Sequence, residues 1–318
     1  MADDIQAPAG ASARVAGLWF AVLSAASFGL SGALASGLMD AGWTAGGAVI
    51  VRVGLAAVVL SVPAWVALGG RWSLLRANAG VVVAYGVFAV GGAQFAYFNA
   101  VRHMDVGVAL LIEYTAPVTV VCWMWLRHAQ RPGRITLVGA VLAAAGLVLV
   151  LDLLSGADLS AVGVAWALVA MVGAAVYFVL SAGESDLHPL VLAAAGLWLA
   201  AIVLLLAGAV GVVPVRMSDA DVTYGDTSVP FWLPVLALGV VTAAIAYVSG
   251  IAASRRLGPR LASFVALLEV LSGLVFAWLL LDQVPAPVQV AGGVLVLIGI
   301  VVVKLGEPAT PVTGRPAA

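Results

Sequence analysis

Apolar residues follow one another in long continuous runs along this chain, separated by short polar segments. Each run has about the ~20 residues that a helix needs to cross ~30 Å of hydrocarbon. The runs are continuous rather than alternating, so they predict helices and not the strands of a membrane barrel. Ten runs can be counted, at residues 15–38, 45–68, 79–101, 106–126, 134–151, 159–181, 188–213, 230–253, 260–281 and 287–304. The pattern therefore predicts an all-α integral membrane protein with ten transmembrane helices.

Composition supports the membrane assignment and narrows the chemistry. The chain is 64% hydrophobic and only 9% charged, which a soluble domain of 318 residues could not bury. Cys122 is the only cysteine, and the three histidines lie at the ends of runs. There is no metalloprotease motif and no nucleotide-binding loop. We therefore expect no enzymatic activity, no cofactor, no metal site, no nucleic-acid partner and no coupling to ATP within this chain.

The positive charges predict the orientation. With the N-terminus placed in the cytoplasm, eleven basic residues fall on the cytoplasmic side, namely Arg14, Arg71, Arg76, Arg127, Arg131, Arg134, Arg255, Arg256, Arg260, Lys304 and Arg315. Only Arg102 and Arg216 fall on the outer side. This bias predicts that both termini are cytoplasmic, as tails at residues 1–14 and 305–318. The acidic start of the chain lacks the basic region of a cleavable signal peptide, so the first run is expected to remain as a helix.

The second half of the chain repeats the first. The segment "GAVLAAAGLVLV" (139–150) matches "GGVLVLIGIVVV" (292–303) at six of twelve positions, including the glycine pairs 139/292 and 146/299. Five runs lie in residues 15–153 and five in residues 159–304. An odd number of spans per repeat forces the two halves into opposite orientations. Two inverted five-helix repeats are a transporter architecture, with the substrate site near the bilayer midplane between them.

Three ionisable residues lie well inside the runs, namely Arg52, Glu113 and Glu269. A charge left in lipid would cost at least ~3 kcal/mol, so these side chains are expected to face an interior cavity. Pro117 has no N–H for the carbonyl of Glu113 four residues earlier, which predicts a helix kink at this carboxylate. The sequence Ser272-Gly273 marks a possible bend after Glu269.

These residues are candidates for binding a substrate or a proton. A carboxyl group without a cationic partner in a low-dielectric cavity can exchange protons, which suits coupling to a proton gradient. Other polar residues in the runs could line the same cavity, namely Tyr114, Asn99, Gln94 and Tyr247. The simpler alternative is a structural salt bridge between Arg52 and one glutamate, which leaves the other glutamate unexplained. Which glutamate pairs with Arg52 stays open.

The two halves resemble EamA domains of the drug/metabolite transporter superfamily. Within it, "MDVGVALLIEYTAPVTVV" (104–121) and "VRVGLAA" (51–57) are similar to helices of the threonine/homoserine exporter branch. The segment "ALLEVLSGLVFAWLLLDQVPAPVQVAGGVL" (266–295) resembles the ninth and tenth helices of that branch. Two positions depart from its pattern: Val270 replaces a proline, and Asp282 replaces a glutamate. The resemblance implies export of small amino acids or related metabolites, with proton antiport.

The residues and the resemblance together favour a secondary active transporter that works by alternating access in a bacterial-type plasma (inner) membrane. One cation beside carboxylates suits a zwitterionic amino acid better than a phosphorylated sugar. Export of lipophilic cations or drugs is the alternative within transport, and a non-transporting membrane scaffold or sensor is an alternative of another class. The expected partners are a small molecule, protons and the lipid bilayer, with the oligomeric state left open.

Overall fold

The structure is a computed structural model that describes residues 9–101, 103, 106–151, 160–183 and 185–306. Most of both predicted tails, together with Arg102, Glu184 and Arg315, lies outside the described residues. The helices are α1 (Ala9–Asp40), α2 (Ala45–Leu68), α3 (Trp72–Ala77), α4 (Ala79–Ala84), α5 (Ala93–Val101), α6 (Val106–Glu113), α7 (Ala116–His128), α8 (Arg134–Val150), α9 (Ala161–Ala182), α10 (Pro189–Ala209), α11 (Trp232–Gly239), α12 (Ala246–Leu257), α13 (Pro259–Val265), α14 (Leu268–Leu281) and α15 (Pro287–Gly306). Strands β1 (Val222–Tyr224) and β2 (Thr227–Val229) form one antiparallel hairpin.

Long apolar helices make up most of the described chain. Within the described residues, nine helical stretches are long and apolar enough to cross a membrane, and α8 is a shorter apolar helix of 17 residues at the position of the fifth predicted run. Large apolar side chains cover their outer faces, with Val62 68% exposed and Leu126 81% exposed. Exposure of this kind is stable in lipid and not in water. The protein is a multi-pass membrane protein.

Four of the long stretches are not single regular helices. A π-helical segment at Tyr85–Gly92 joins α4 to α5, and another at Val240–Ile245 joins α11 to α12. A break separates α6 from α7, and a second break separates α13 from α14. The sequence predicted only the break between α6 and α7. The bend expected at Ser272-Gly273 stays a prediction, because α14 is continuous through these residues and the break lies earlier, at Ala266–Leu267.

Small residues bring the helices close together. Helix α1 packs against α12 and α14, α2 packs against α10, and α5 packs against α9. Helices α8 and α15 pack against each other through glycines. A Cβ atom added at Gly146 would lie 2.7 Å from the Gly292 carbonyl oxygen, and one at Gly139 would lie 2.8 Å from the Gly299 carbonyl oxygen. Glycine at these positions permits backbone contact where no larger residue would fit.

The β-hairpin lies in the long connection between α10 and α11 and packs against the end of α1. Val222 is fully buried, and the Tyr224 hydroxyl donates a hydrogen bond to the Leu34 carbonyl oxygen at 2.9 Å. Burial raises the pKa of Tyr224 to about 12, so this hydroxyl remains a donor throughout the neutral range. The sequence predicted this connection only as a loop.

Candidate functional site

A cavity of about 810 Å³ lies between helices of the two halves, and its walls come from α1, α2, α5–α7, α9 and α12–α14. This volume lies within the ~300–1,000 Å³ of small-molecule sites. Near the end of α1 its walls include exposed residues, with Met39 41% exposed and Gln283 also exposed. Near the start of α1 they include Ser254 and Ser263, each 1% exposed. The cavity is therefore open where α1 ends and closed where α1 begins.

Arg52 extends from α2 into the wall of this cavity and is 8% exposed. Its Nη2 atom donates a hydrogen bond of 2.7 Å to the Thr242 carbonyl oxygen, which belongs to the second π segment. Its guanidinium carbon lies 5.5 Å from the centre of the Phe28 ring, within range of a cation–π interaction. The Nε atom has no hydrogen-bond partner among the described residues. Arg52 is thus anchored through Nη2, and its side chain borders the cavity.

Glu113 is the last residue of α6, directly before the break. Pro117 lies in the first turn of α7 and cannot donate to the Glu113 carbonyl oxygen, as the sequence predicted. The Thr115 hydroxyl does not compensate there, because it donates to the Ile112 carbonyl oxygen at 2.6 Å, with the Met171 sulfur also 3.0 Å away. The break presents the Glu113 side chain to the cavity at the C-terminal end of a helix.

Glu269 is the second residue of α14, directly after the other break. Its side chain also lines the cavity. The positive end of a helix dipole stabilises a carboxylate in the first turn, whereas the negative end of α6 disfavours one at Glu113. The two carboxyl groups therefore occupy opposite helix ends although both face the same space.

The charged groups are close enough to affect one another. Arg52 attracts Glu269 electrostatically, and the Tyr114 hydroxyl faces the Glu269 carboxyl group, to which it can donate a hydrogen bond. Glu113 experiences repulsion from Glu269. The guanidinium therefore has Glu269 as its carboxylate neighbour. For Glu113 the charged neighbour with the largest effect is Glu269.

The other residues predicted from the sequence divide into two groups. Gln94, Tyr114, Tyr247 and Pro117 all line the cavity, and Gln94 faces the Tyr247 hydroxyl. Asn99 is not among the lining residues, because its amide nitrogen donates to the Phe95 carbonyl oxygen within the same helix at 2.8 Å.

Two features of the site had no signal in the sequence. Phe28 and Phe178 line the cavity, but an aromatic residue within an apolar run looks like any other core or lipid-facing residue. The carbonyl oxygen of Thr242 is the other. The Thr242 hydroxyl donates a hydrogen bond to the Leu238 carbonyl oxygen within the same helical stretch. The π segment directs the Thr242 carbonyl oxygen to Arg52.

Comparisons with known proteins agree with this architecture. The family model described as the EamA-like transporter family matches residues 15–152 and again residues 161–305. No curated protein matches the chain. Among solved structures 27 chains match. One of them, a crystal structure, superposes with a TM-score of 0.73 at 21% sequence identity, over 93% of this chain and 97% of that chain. At this identity the likeness concerns the fold alone.

Proposed function

This chain belongs to the EamA-like transporter family, and from that premise we propose that it exports small zwitterionic amino acids or related metabolites by proton-coupled alternating access. The family consists of membrane transporters of small molecules rather than enzymes. The proposal places the protein in a bacterial-type inner membrane with ten crossings and both termini in the cytoplasm.

The observation that carries the proposal is that, among the described residues, one cation and two carboxyl groups line a single cavity. With Arg52, Glu113 and Glu269 all ionised, these three side chains carry a net charge of −1. One proton or one ammonium group would neutralise it. A zwitterion supplies an ammonium group for a carboxylate and a carboxylate for the guanidinium of Arg52. Protons and substrate would then compete for the same negative charge, which is the basis of antiport.

The helix ends suggest different roles for the two glutamates. The start of α14 and the attraction to Arg52 make Glu269 the more favourable of the two glutamates for a negative charge. Glu113 lies at the end of α6, where a positive ligand is favoured, and it is repelled by Glu269. A proton or an ammonium group bound at Glu113 removes that repulsion. We therefore assign Glu113 as the exchange site and Glu269 as the positioning partner of Arg52.

Several features support inverted repeats. The break at Tyr114–Thr115 and the break at Ala266–Leu267 are separated by 152 residues (266 minus 114). The π segments occupy similar positions in the third and eighth predicted runs. Gly139 packs on Gly299 and Gly146 packs on Gly292, although the sequence equivalents are 139 with 292 and 146 with 299. Such reciprocal contacts are what a two-fold axis between the halves requires.

The closed end of the cavity supports a gating role in alternating access. Arginines that the sequence suggested as topology anchors also connect helices there. Arg255 donates to the Ser185 hydroxyl at 3.0 Å, Arg260 donates to the Gln130 carbonyl oxygen at 3.2 Å, and Arg256 lies 4.8 Å from the centre of the Phe20 ring. Under the proposed topology this end is cytoplasmic, so the cavity is open to the outside. These contacts would have to separate when substrate is loaded from the cytoplasm.

Export of lipophilic cations is the second candidate, because aromatic rings surround the carboxyl groups. Among the described residues, six aromatic side chains line the cavity, namely Phe28, Tyr97, Tyr114, Tyr177, Phe178 and Tyr247. Such rings attract organic cations. Arg52 opposes this function, since a fixed positive charge in the cavity repels a ligand that carries only positive charge. The two candidates therefore make opposite predictions for the loss of Arg52.

Transport by reconstituted protein tests the proposal. Purified protein is first screened for thermal stabilisation by amino acids, lipophilic cations and phosphorylated sugars, since a bound ligand raises the melting temperature. Uptake of the best stabilising amino acid into proteoliposomes is then measured across a pH gradient. We expect Glu113→Gln to abolish the stimulation by the gradient, whereas Asp219→Asn, in the exposed connection before β1, should transport like the wild type. Wild-type rates for Glu113→Gln at every pH would contradict proton coupling at this residue.

A further inference from the structure

The π segment Tyr85–Gly92 lies immediately before two residues that line the cavity, Gln94 and Tyr97. π-Helical turns are rare and commonly occur at functional sites, because they hold one more residue per turn than an α-helix. The corresponding segment of the second half, Val240–Ile245, lies immediately before Tyr247. Each half therefore places a wide helical turn directly before a polar side chain of the cavity.

Gly92 fits the wide turn because glycine has no Cβ atom. A Cβ atom added at Gly92 would lie 2.6 Å from the carbonyl oxygen of Val87, five residues earlier in the same segment. At Gly32 and Gly54, inside the regular helices α1 and α2, an added Cβ meets no atom within 4 Å beyond the nearest four residues of its own helix, so no carbonyl oxygen five residues earlier lies close to it. The clash at Gly92 thus belongs to the π conformation. Alanine at this position would disfavour the wide turn and favour an α-helix.

Small residues of the neighbouring helices lie against the backbone of this segment. An added Cβ at Gly86 would lie 2.8 Å from the Gly196 carbonyl oxygen of α10, and one at Gly91 would lie 3.2 Å from the Ala200 Cα atom. On the other side Gly173 of α9 approaches the Phe88 carbonyl oxygen. Glycine and alanine form these backbone contacts, so the large side chain that has to move when the segment shifts is Tyr85, which is buried against Gly196 and the Tyr177 ring.

We propose that Tyr85–Gly92 is a register switch that carries Gln94 and Tyr97 into and out of the cavity during transport. The wide turn holds one extra residue. When that turn closes to an α-helix, the chain that follows rotates by ~100° and moves by ~1.5 Å. A rotation of this size takes Gln94 away from the cavity and from the Tyr247 hydroxyl. The open cavity belongs to the π form, and the α form belongs to the state in which this end is closed.

The switch rests on the proposed transport cycle, but its test measures access to the cavity and not flux. Failure of the switch is therefore distinguishable from failure of the transport proposal. The reporter is Gly32→Cys in a Cys122→Ser background, because Gly32 lines the cavity and has open space for a side chain. Its rate of reaction with a membrane-impermeant, negatively charged thiosulfonate is measured in vesicles of uniform orientation.

We expect Gly92→Ala to slow labelling of this cysteine several-fold, because it disfavours the π form and with it the open cavity. Gly54→Ala is the matched control and should leave the rate unchanged. Size-exclusion chromatography and circular dichroism establish that both variants are folded. An unchanged labelling rate in folded Gly92→Ala would overturn the proposal.

A second variant covers the case in which Gly92→Ala does not fold. Phe88 is 60% exposed to the outer face of the π segment, and its deletion removes the extra residue while the flanking helices keep their orientation. In the protein that lacks Phe88, the Val87 carbonyl oxygen no longer lies against the Cβ atom of Gly92→Ala. The combined variant should therefore fold, and its reporter cysteine should react at the same rate as in the deletion alone. Equal slowing by Gly92→Ala in both backgrounds, or unfolding caused by the deletion itself, would contradict the register switch.

Discussion

At the scale of single residues, position on a helix distinguishes two groups of the same type. Glu269 begins α14 and has Arg52 as its attractive neighbour, whereas Glu113 ends α6 and is repelled by Glu269. The dipole of the first helix end stabilises negative charge and that of the second disfavours it. Under the proposed function, Glu269 is the better site for the negative charge, and Glu113 is the group that exchanges its positive partner. The same residue type at the two positions is expected to perform different functions.

Loss of Arg52 separates the two candidate substrate classes. Arg52→Gln removes a charge-assisted hydrogen bond worth ~1.5–3 kcal/mol, so the affinity for a stabilising amino acid should fall by about 10- to 100-fold. The affinity for tetraphenylphosphonium should not fall, because a repulsive charge is lost. Isothermal titration calorimetry measures both, with the exposed Arg216→Gln as the control. A loss of cation binding with unchanged amino-acid binding would favour the exporter of lipophilic cations.

At the scale of elements, the site depends on helices that are interrupted, and only one interruption had a signal in the sequence. Pro117 removes a backbone donor, which made the break after Glu113 predictable. Ala266 and Leu267 are good helix formers, so the break before Glu269 arises from tertiary packing that local propensity cannot reveal. The π segments also could not be predicted from local propensity, because they arise from tertiary packing. Arg52, Glu113 and Glu269 were predictable because charge inside an apolar run is costly, whereas Asn99 bonds to its own helix instead.

Pro117→Ala should join α6 to α7 at the expense of activity. Alanine restores an N–H that can donate to the Glu113 carbonyl oxygen, so the melting temperature should stay equal or rise while the transport rate falls. Pro63→Ala is the matched control, because Pro63 also lies inside a helix, α2, but is exposed and is not part of the cavity wall. Thermal unfolding and proteoliposome uptake measure the two quantities. Wild-type uptake by a more stable Pro117→Ala would show that the break is not needed.

At the scale of the whole molecule, hydrophobic periodicity located the helical stretches because each must satisfy its backbone inside lipid. Runs predicted at 134–151 and 287–304 correspond to α8 (Arg134–Val150) and α15 (Pro287–Gly306). The hairpin at 222–229 was missed because its strands have three residues each, too few to show alternation. The open end of the cavity was also beyond prediction. A transporter has two arrangements of one sequence, and the apolar pattern is the same in both.

The number of crossings can be tested through the position of the C-terminus. Ten crossings place it on the cytoplasmic side, whereas nine would place it outside if α8 did not cross. Alkaline phosphatase, which is active only outside the cytoplasm, should be inactive when fused after Lys304 and active when fused after Asp219. Activity of the fusion after Lys304 would contradict the proposed ten-helix topology.

The central claim is that substrate and proton compete for the charge of one cavity, and proton release on binding tests it most directly. Purified protein in weakly buffered detergent is titrated with the stabilising amino acid while a pH indicator records released protons. By linkage, wild-type protein should release about one proton per bound substrate near the pH at which Glu113 exchanges. Glu113→Gln should bind more weakly and release none, and Asp219→Asn should behave as the wild type. Substrate binding without proton release by the wild type, or equal release by Glu113→Gln, would contradict the account.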